Sequence, residues 1–418
     1  MRSFQPTFLL LGLSIAVAPS RAQEALDRLA ESLTFSSEQA FARARLGGSV
    51  ELEGHYQSDP VSDLLFSDRH VFFNPRVVLN LDAQAGRSLY LFGQARFDRR
   101  FDPTDEGAFT IRLDEFALRY SPWTDGRFNV QIGQFATVAG FWARRHTAWE
   151  NPFLNAPLPY ENLTAAWDRA APASAAVLLE WGHVRPVSDG AAVYEDKDQR
   201  LPMVWGPSYA TGVAVAGTWR EVEYAVELKN ASLSSRPEIW NDDGDVWDHP
   251  TLTGRLGWRP NVMWNLGVSA SGGSYLRPSA APSLRPGTGR EDYRQLALAH
   301  DVSFAWHHLQ LWAEVWAARF ELPGIGDADT LAYFVEGRVK LTPQLALALR
   351  WNQQTFDTID DGAGRFVRWG RETWRIDLAP AYRFTPHVQL KLQFSLRHES
   401  PANPRYTHSI ASQLTIRF

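Results

Sequence analysis

The sequence has no cysteine, three methionines and only four lysines, Lys197, Lys229, Lys340 and Lys391, among 418 residues. Without thiols there is no disulfide scaffold and no zinc or iron–sulfur site built on thiolates. After the N-terminus no run of about 20 apolar residues occurs, which excludes crossing a membrane by helices. There is no basic run, and the formal charge is only −5, so no nucleic-acid partner is expected. What the chain has in quantity is aromatic: 17 Trp, 24 Phe and 12 Tyr. So many rings in a polar chain fit two interfacial girdles around a β-barrel.

The N-terminus reads as an export signal. Arg2 supplies a positive start, Phe8 to Val17 a short apolar core, and Ser20-Arg21-Ala22 a small-residue cleavage step before Gln23. The apolar run, about ten residues, is too short for a membrane anchor. Residues 1–22 are therefore expected to be removed. Residues 23–48 form a short periplasmic leader in which Leu26, Leu29 and Leu33 recur at helical spacing. Residues 49–418 form the main domain.

From Ser49 onward apolar and polar residues alternate with a period of two. Between His387 and Glu399, Val388, Leu390, Leu392, Phe394 and Leu396 take one face, while Gln389, Lys391, Gln393, Ser395 and Arg397 take the other. A soluble sandwich alternates too, but the connections here alternate as well. Tight turns such as Arg220-Glu221, His307-His308 and Thr385-Pro386 follow long polar stretches such as 231–250, 273–292 and 357–371. Short turns at one end and long loops at the other are expected of an outer-membrane barrel. The final strand, 406–418, ends on Phe418, which resembles the assembly signal of such barrels.

The expected fold is all-β: a transmembrane antiparallel barrel of sixteen strands, from 49–57 to 406–418, in the bacterial outer membrane. Eighteen strands are the alternative if Ala173 to Gly182 is a strand; its alanines and the flanking Pro172 and Pro186 favour a short helix. Sixteen leaves one exceptional connection, about 136–208. A loop that long is expected to be functional, and Phe141, Trp142, Trp149, Phe153, Leu154 and Trp167 would let it fold into the lumen as the third long loop.

In such a barrel, selection is electrostatic and falls to lumen-facing side chains at the narrowest point. Arg144, Arg145 and His146, beside Trp142 and Trp149, are the candidates for the constriction. Candidate lumen cations are Arg96, Arg112, Arg119, Lys229, Arg338, Lys340, Arg350, Arg375, Arg383, Lys391 and Arg397. Their acidic counterparts are Glu223, Glu227, Glu336 and Asp377. Two readings stay open. The cations favour anions, or they answer acids such as Asp114, Glu115, Glu150 and Asp168 and hold the loop in place. The run Asn241-Asp242-Asp243-Gly244-Asp245, with Asp248, has oxygen-rich calcium character but no terminal Glu, and reads as a solvated loop tip. His307-His308 lies in a tight turn and gives no metal site. No cofactor is expected.

The stretch Arg112 to Trp142, with Gly133, Gln134 and Phe135 before the long loop, resembles the phosphate-selective porin family of the O and P type. That resemblance implies a sixteen-stranded, usually trimeric porin whose lumen arginines and lysines draw anions inward. The scarcity of lysine departs from the family pattern. The function expected is passive diffusion of small hydrophilic solutes through a homotrimer seated in outer-membrane lipid and lipopolysaccharide. A channel or exporter for sugars or acidic polysaccharide is the alternative, and a barrel enzyme lacks any recognisable Ser–His signature.

Overall fold

Alternation builds a sheet, but in this chain the usual sense of burial is inverted. Along Val388–Ser400, Lys391, Gln393, Ser395 and Arg397 are buried, while Leu392 and Phe394 are exposed to 47% and 46%. Apolar side chains facing outward and polar ones inward is the pattern of a barrel that lies in lipid. The computed structural model describes residues 19–37, 41–59, 63–65, 69–99, 109–183, 200–237, 247–400 and 405–418.

Sixteen antiparallel strands close the barrel. They are β1 (Ala42–Gln57), β2 (Val71–Ala85), β3 (Leu89–Asp98), β4 (Thr110–Tyr120), β5 (Asn129–Phe135), β6 (Ala210–Trp219), β7 (Val222–Lys229) and β8 (Thr251–Trp258). The second half comprises β9 (Trp264–Ser274), β10 (Arg294–Trp306), β11 (Leu309–Phe320), β12 (Ala328–Lys340), β13 (Leu345–Phe356), β14 (Glu372–Arg383), β15 (Val388–Ser400) and β16 (Arg405–Arg417). Each pairs with its sequence neighbour, and β16 pairs with β1 from Ser409↔Gln57 to Arg417↔Ser49, so no edge is left open. Two-residue turns at Arg220-Glu221 and His307-His308 place Arg220 and His307 at positive φ, as tight hairpins require.

The Ala-rich segment is a helix, Ala175–His183, inside the long loop, and the eighteen-strand alternative falls with it. The N-terminal side differs in detail from expectation. A helix, Pro19–Ser32, spans the Ala22–Gln23 step, and a short strand, Thr34–Ser37, pairs with Ala42–Arg45. Strand β1 thus begins at Ala42 instead of Ser49. The apolar core of the export signal, Phe8 to Val17, lies outside the described residues, as does the acidic run 241–246.

One strand carries an irregularity that matters for the site. Gln94 pairs with Glu115 but Ala95 pairs with Leu113, so Asp114 is an extra residue in β4. This β-bulge turns two consecutive carboxylates, Asp114 and Glu115, toward the lumen. Gln134 repairs the ladder, its amide donating to the carbonyls of Leu113 (2.9 Å) and Asp114 (3.0 Å). Gly133, beside it, sits at φ +135, and a Cβ there would collide with the carbonyl oxygen of Phe116. The Gly-Gln-Phe step therefore exists to close a bulge.

Candidate functional site: the in-folded loop and the cavity beside it

Residues 136–183 and 200–208 turn from β5 into the barrel and pack against its far wall. Buried carboxylates receive the loop's first turn. Glu227 accepts the Thr137 hydroxyl (2.6 Å) and the Val138 amide (3.1 Å). Glu314 of β11 accepts the amides of Phe141 (2.9 Å) and Trp142 (2.5 Å), the Tyr160 hydroxyl and the Trp316 indole N–H. Gly140 adopts φ +68 here, and a Cβ would strike Tyr160, Trp316 and Glu314. Around this anchor Trp142, Tyr160, Met203, Val204, Trp316 and Phe334 form an apolar cluster inside the lumen.

A second set of ties is ionic. Arg350 donates to Asp377 (2.9 Å) and to the Asn155 side chain (2.5 Å), with its guanidinium 4.2 Å from the Phe153 ring. Arg375 pairs with Asp377, Glu161 and Asp63. Arg397 reaches Asp63 and the Asn162 side chain, both at 2.6 Å. Lys391 donates to the carbonyl of Asn151 (3.1 Å), and Lys229 to that of Phe135 (2.8 Å). These five cations are buried, and their donors are taken up by the loop and by neighbouring acids. Breaking such a buried pair costs about 3–5 kcal/mol, because the remaining charge has no water to return to.

The expected constriction residues separate. Arg145 is buried, pairs with Glu336 and lies 4.4 Å from the Trp312 ring, so it anchors the loop and does not border the cavity. Arg144 is partly exposed and donates to Glu223 (3.2 Å), which also meets Arg255 and Arg259. Only His146 borders the cavity. Its Nδ1 donates to the Ala143 carbonyl (2.6 Å), which leaves Nε2 to accept from the Tyr209 hydroxyl (2.7 Å). Burial holds this imidazole down to about 4, so it is neutral at pH 7.

The loop fills one side of the lumen and leaves a cavity of about 420 Å³ on the other. One wall is a row of charges on adjacent strands. Arg76 donates to Glu51 (3.0 Å) and meets Glu53; Arg96 pairs with Asp114 (2.9 Å); Arg112 pairs with Asp114 (2.6 Å) and Asp98 (3.5 Å). The facing wall is the loop itself, presenting Trp142, His146, Trp149 and Phe153. Three guanidinium groups meet four carboxylates, so every cation of this row is paired and the row carries one more negative than positive charge. Arg119 lies nearer the turn end, bonded to Gln131 and 5.3 Å from the Phe92 ring. Arg338, Lys340 and Arg383 stand at the turn end of β12 and β14, Lys340 exposed at the rim.

Sequence reasoning missed Arg76 and the anchor Glu314. Arg76 is legible in the alternation of Asn74, Arg76, Asn80 and Asp82 along β2. Glu314 had one signal, a lone acid between Trp312 and Trp316.

No protein-family model matches the sequence, and no curated protein does. Solved structures do match. An anion-selective porin from Comamonas acidovorans aligns over 90% of this chain and 100% of its own, at 9% identity and TM-score 0.53. Salmonella typhi OmpF, in complex with daunomycin, aligns over 92% and 100%, at 11% identity and TM-score 0.57. The outer membrane channel DcaP of Acinetobacter baumannii aligns over 92% and 99%, at 11% identity and TM-score 0.55. The fold is that of an outer-membrane porin. At such identities the likeness extends to the fold and not to the lumen residues, so selectivity rests on this chain's own geometry.

Proposed function

We propose that this chain is a passive diffusion porin of the bacterial outer membrane, admitting small hydrophilic solutes with a preference for anions. The observation that carries the reading is the in-folded loop, fixed to one wall and leaving a water-accessible cavity lined by paired charges on the other. A bundle of ion pairs around an aqueous path gives solutes a polar surface without a deep binding well, which suits passage over capture. Neighbours of the same fold include a porin that is itself anion-selective. The preference proposed is for anions as a class, without a phosphate-specific lysine ladder, since Lys229 and Lys391 are held by backbone carbonyls of Phe135 and Asn151.

The mature protein is proposed to begin at Gln23 after removal of residues 1–22, and to assemble as a homotrimer in outer-membrane lipid. N-terminal sequencing and cross-linking of the native protein check these two points. Liposome swelling checks the function: vesicles holding the folded barrel should swell in small sugars at rates that fall with solute size. Reversal potentials in a salt gradient should favour chloride over potassium; a cation-favouring potential would remove the anion preference.

A further inference from the structure

The cations of the lumen are unevenly partnered along its axis. Those in the middle are answered by carboxylates, and so is Arg259 at the turn end, by Glu223, but the turn end of β14 and β16 differs. Arg383 of β14 and Arg417 of β16 both lie over the indole of Trp149, their guanidinium carbons 4.9 Å and 4.0 Å from the ring centre. Each donates a single hydrogen bond from Nε, Arg383 to Gln389 and Arg417 to the Pro386 carbonyl. Their terminal nitrogens are left for solvent. Sharing one indole ring brings the two like charges of Arg383 and Arg417 together. Among the described residues neither Arg383 nor Arg417 makes an ion pair with a carboxylate, and the acid next to Trp149 in the loop, Glu150, is exposed.

Like charges held together at a rigid rim cost free energy that a bound anion would recover. Trp149 comes from the loop, which is fixed by Glu314 and Arg350, so the two guanidinium groups converge on one preset place. Forked donors on parallel strands suit carboxylate or phosphate oxygens, and two cations within reach suit more than one negative charge.

We propose that Arg383 and Arg417, gathered over Trp149, form a docking site for small polyvalent oxyanions at the turn-side mouth of the lumen. The site lies on the side of the loop away from the long-loop mouth, so an anion entering from the turn side meets it before the carboxylate-paired row Arg76, Arg96 and Arg112. The inference rests on the porin reading for its effect on current, but the binding itself does not.

Citrate is the probe, with acetate as the monovalent control. Two measurements keep the tests separate. The first is citrate binding to the detergent-folded barrel at low salt, by calorimetry. Wild type should bind citrate at least tenfold tighter than acetate, and Arg383→Gln/Arg417→Gln should weaken citrate on the order of tenfold while the barrel stays folded. Equal affinities for the two anions, or a double variant that binds citrate like wild type, would overturn the site. The second is citrate added to one side of a bilayer holding singly oriented channels. Block should come at lower concentration from the turn side, and the double variant should abolish that difference while still conducting. Equal block from both sides of a conducting wild-type channel would overturn the sidedness. An absence of conductance with citrate binding intact would count against the porin reading and leave the site standing.

Discussion

Tyr160 of the in-folded loop donates its hydroxyl to Glu314 of β11 at 2.5 Å, and the same carboxylate receives the Phe141 and Trp142 amides. One acid on the barrel wall therefore fixes two turns of a loop that is 19 residues apart in sequence at those points. Replacing Glu314 by Ala leaves several buried donors without an acceptor, each costing about 1–3 kcal/mol. The loop should detach before the barrel unfolds. The expected result is a larger single-channel conductance together with new protease cleavage between residues 137 and 160.

Asp377 stands between Arg350 and Arg375 and also accepts from Ser395 (2.6 Å). Asp377→Ala would strand two buried guanidinium groups. A loss of about 3–5 kcal/mol is expected, read as a lower denaturation midpoint in urea. Asp377→Asn should fall between the two, since it keeps acceptor capacity without the charge. A variant as stable as wild type would mean the network is not what holds residues 153–161.

The bulge at Asp114 makes a different prediction. Gln134→Ala removes the two bonds that close it and should cost about 1–3 kcal/mol. Gly133→Ala combines a positive φ, worth about 1–3 kcal/mol of strain, with a backbone collision against the Phe116 carbonyl, and the two together are expected to prevent folding. The check is heat-modifiable migration of the refolded barrel, expected for Gln134→Ala and absent for Gly133→Ala.

His146 gives a pH dependence whose sign is fixed. Burial lowers its folded value from 6.5 to about 4. Between those values the unfolded chain holds a proton that the folded chain does not. Stability from this group is thus complete above pH 6.5 and is lost as pH falls toward 4. His146→Gln should flatten that part of the curve, so wild type should lose stability relative to the variant on acidification. The comparison needs unfolding midpoints of both proteins from pH 7 to pH 4.

How much of this was legible in the sequence follows from what is local. The strands were, because alternation along Val388–Ser400 or Glu372–Arg383 is written in consecutive residues. The start of β1 was not: Ala42 to Gly48 carries two arginines and two glycines where an apolar face should show, and it is held by Thr34–Ser37 on one side and by β2 on the other. The long loop and its helix were visible from length and composition. The division of labour inside it was not. Arg144, Arg145 and His146 look alike as a basic cluster, yet their roles depend on Glu223, Glu336 and Tyr209, which only barrel closure brings to them. Of the two readings left open for the lumen cations, loop holding describes Arg350, Arg375, Arg397, Lys229 and Lys391, while Arg383 meets the loop only through the Trp149 ring.

The central claim is that the lumen beside the fixed loop is a path for solutes. Single-channel recording of the refolded, heat-modifiable barrel in a planar bilayer tests it most directly. Discrete conductance steps in potassium chloride are expected, rising with salt concentration and enlarged by Glu314→Ala. Correctly folded protein that inserts and yields no steps, in wild type and Glu314→Ala alike, would contradict it.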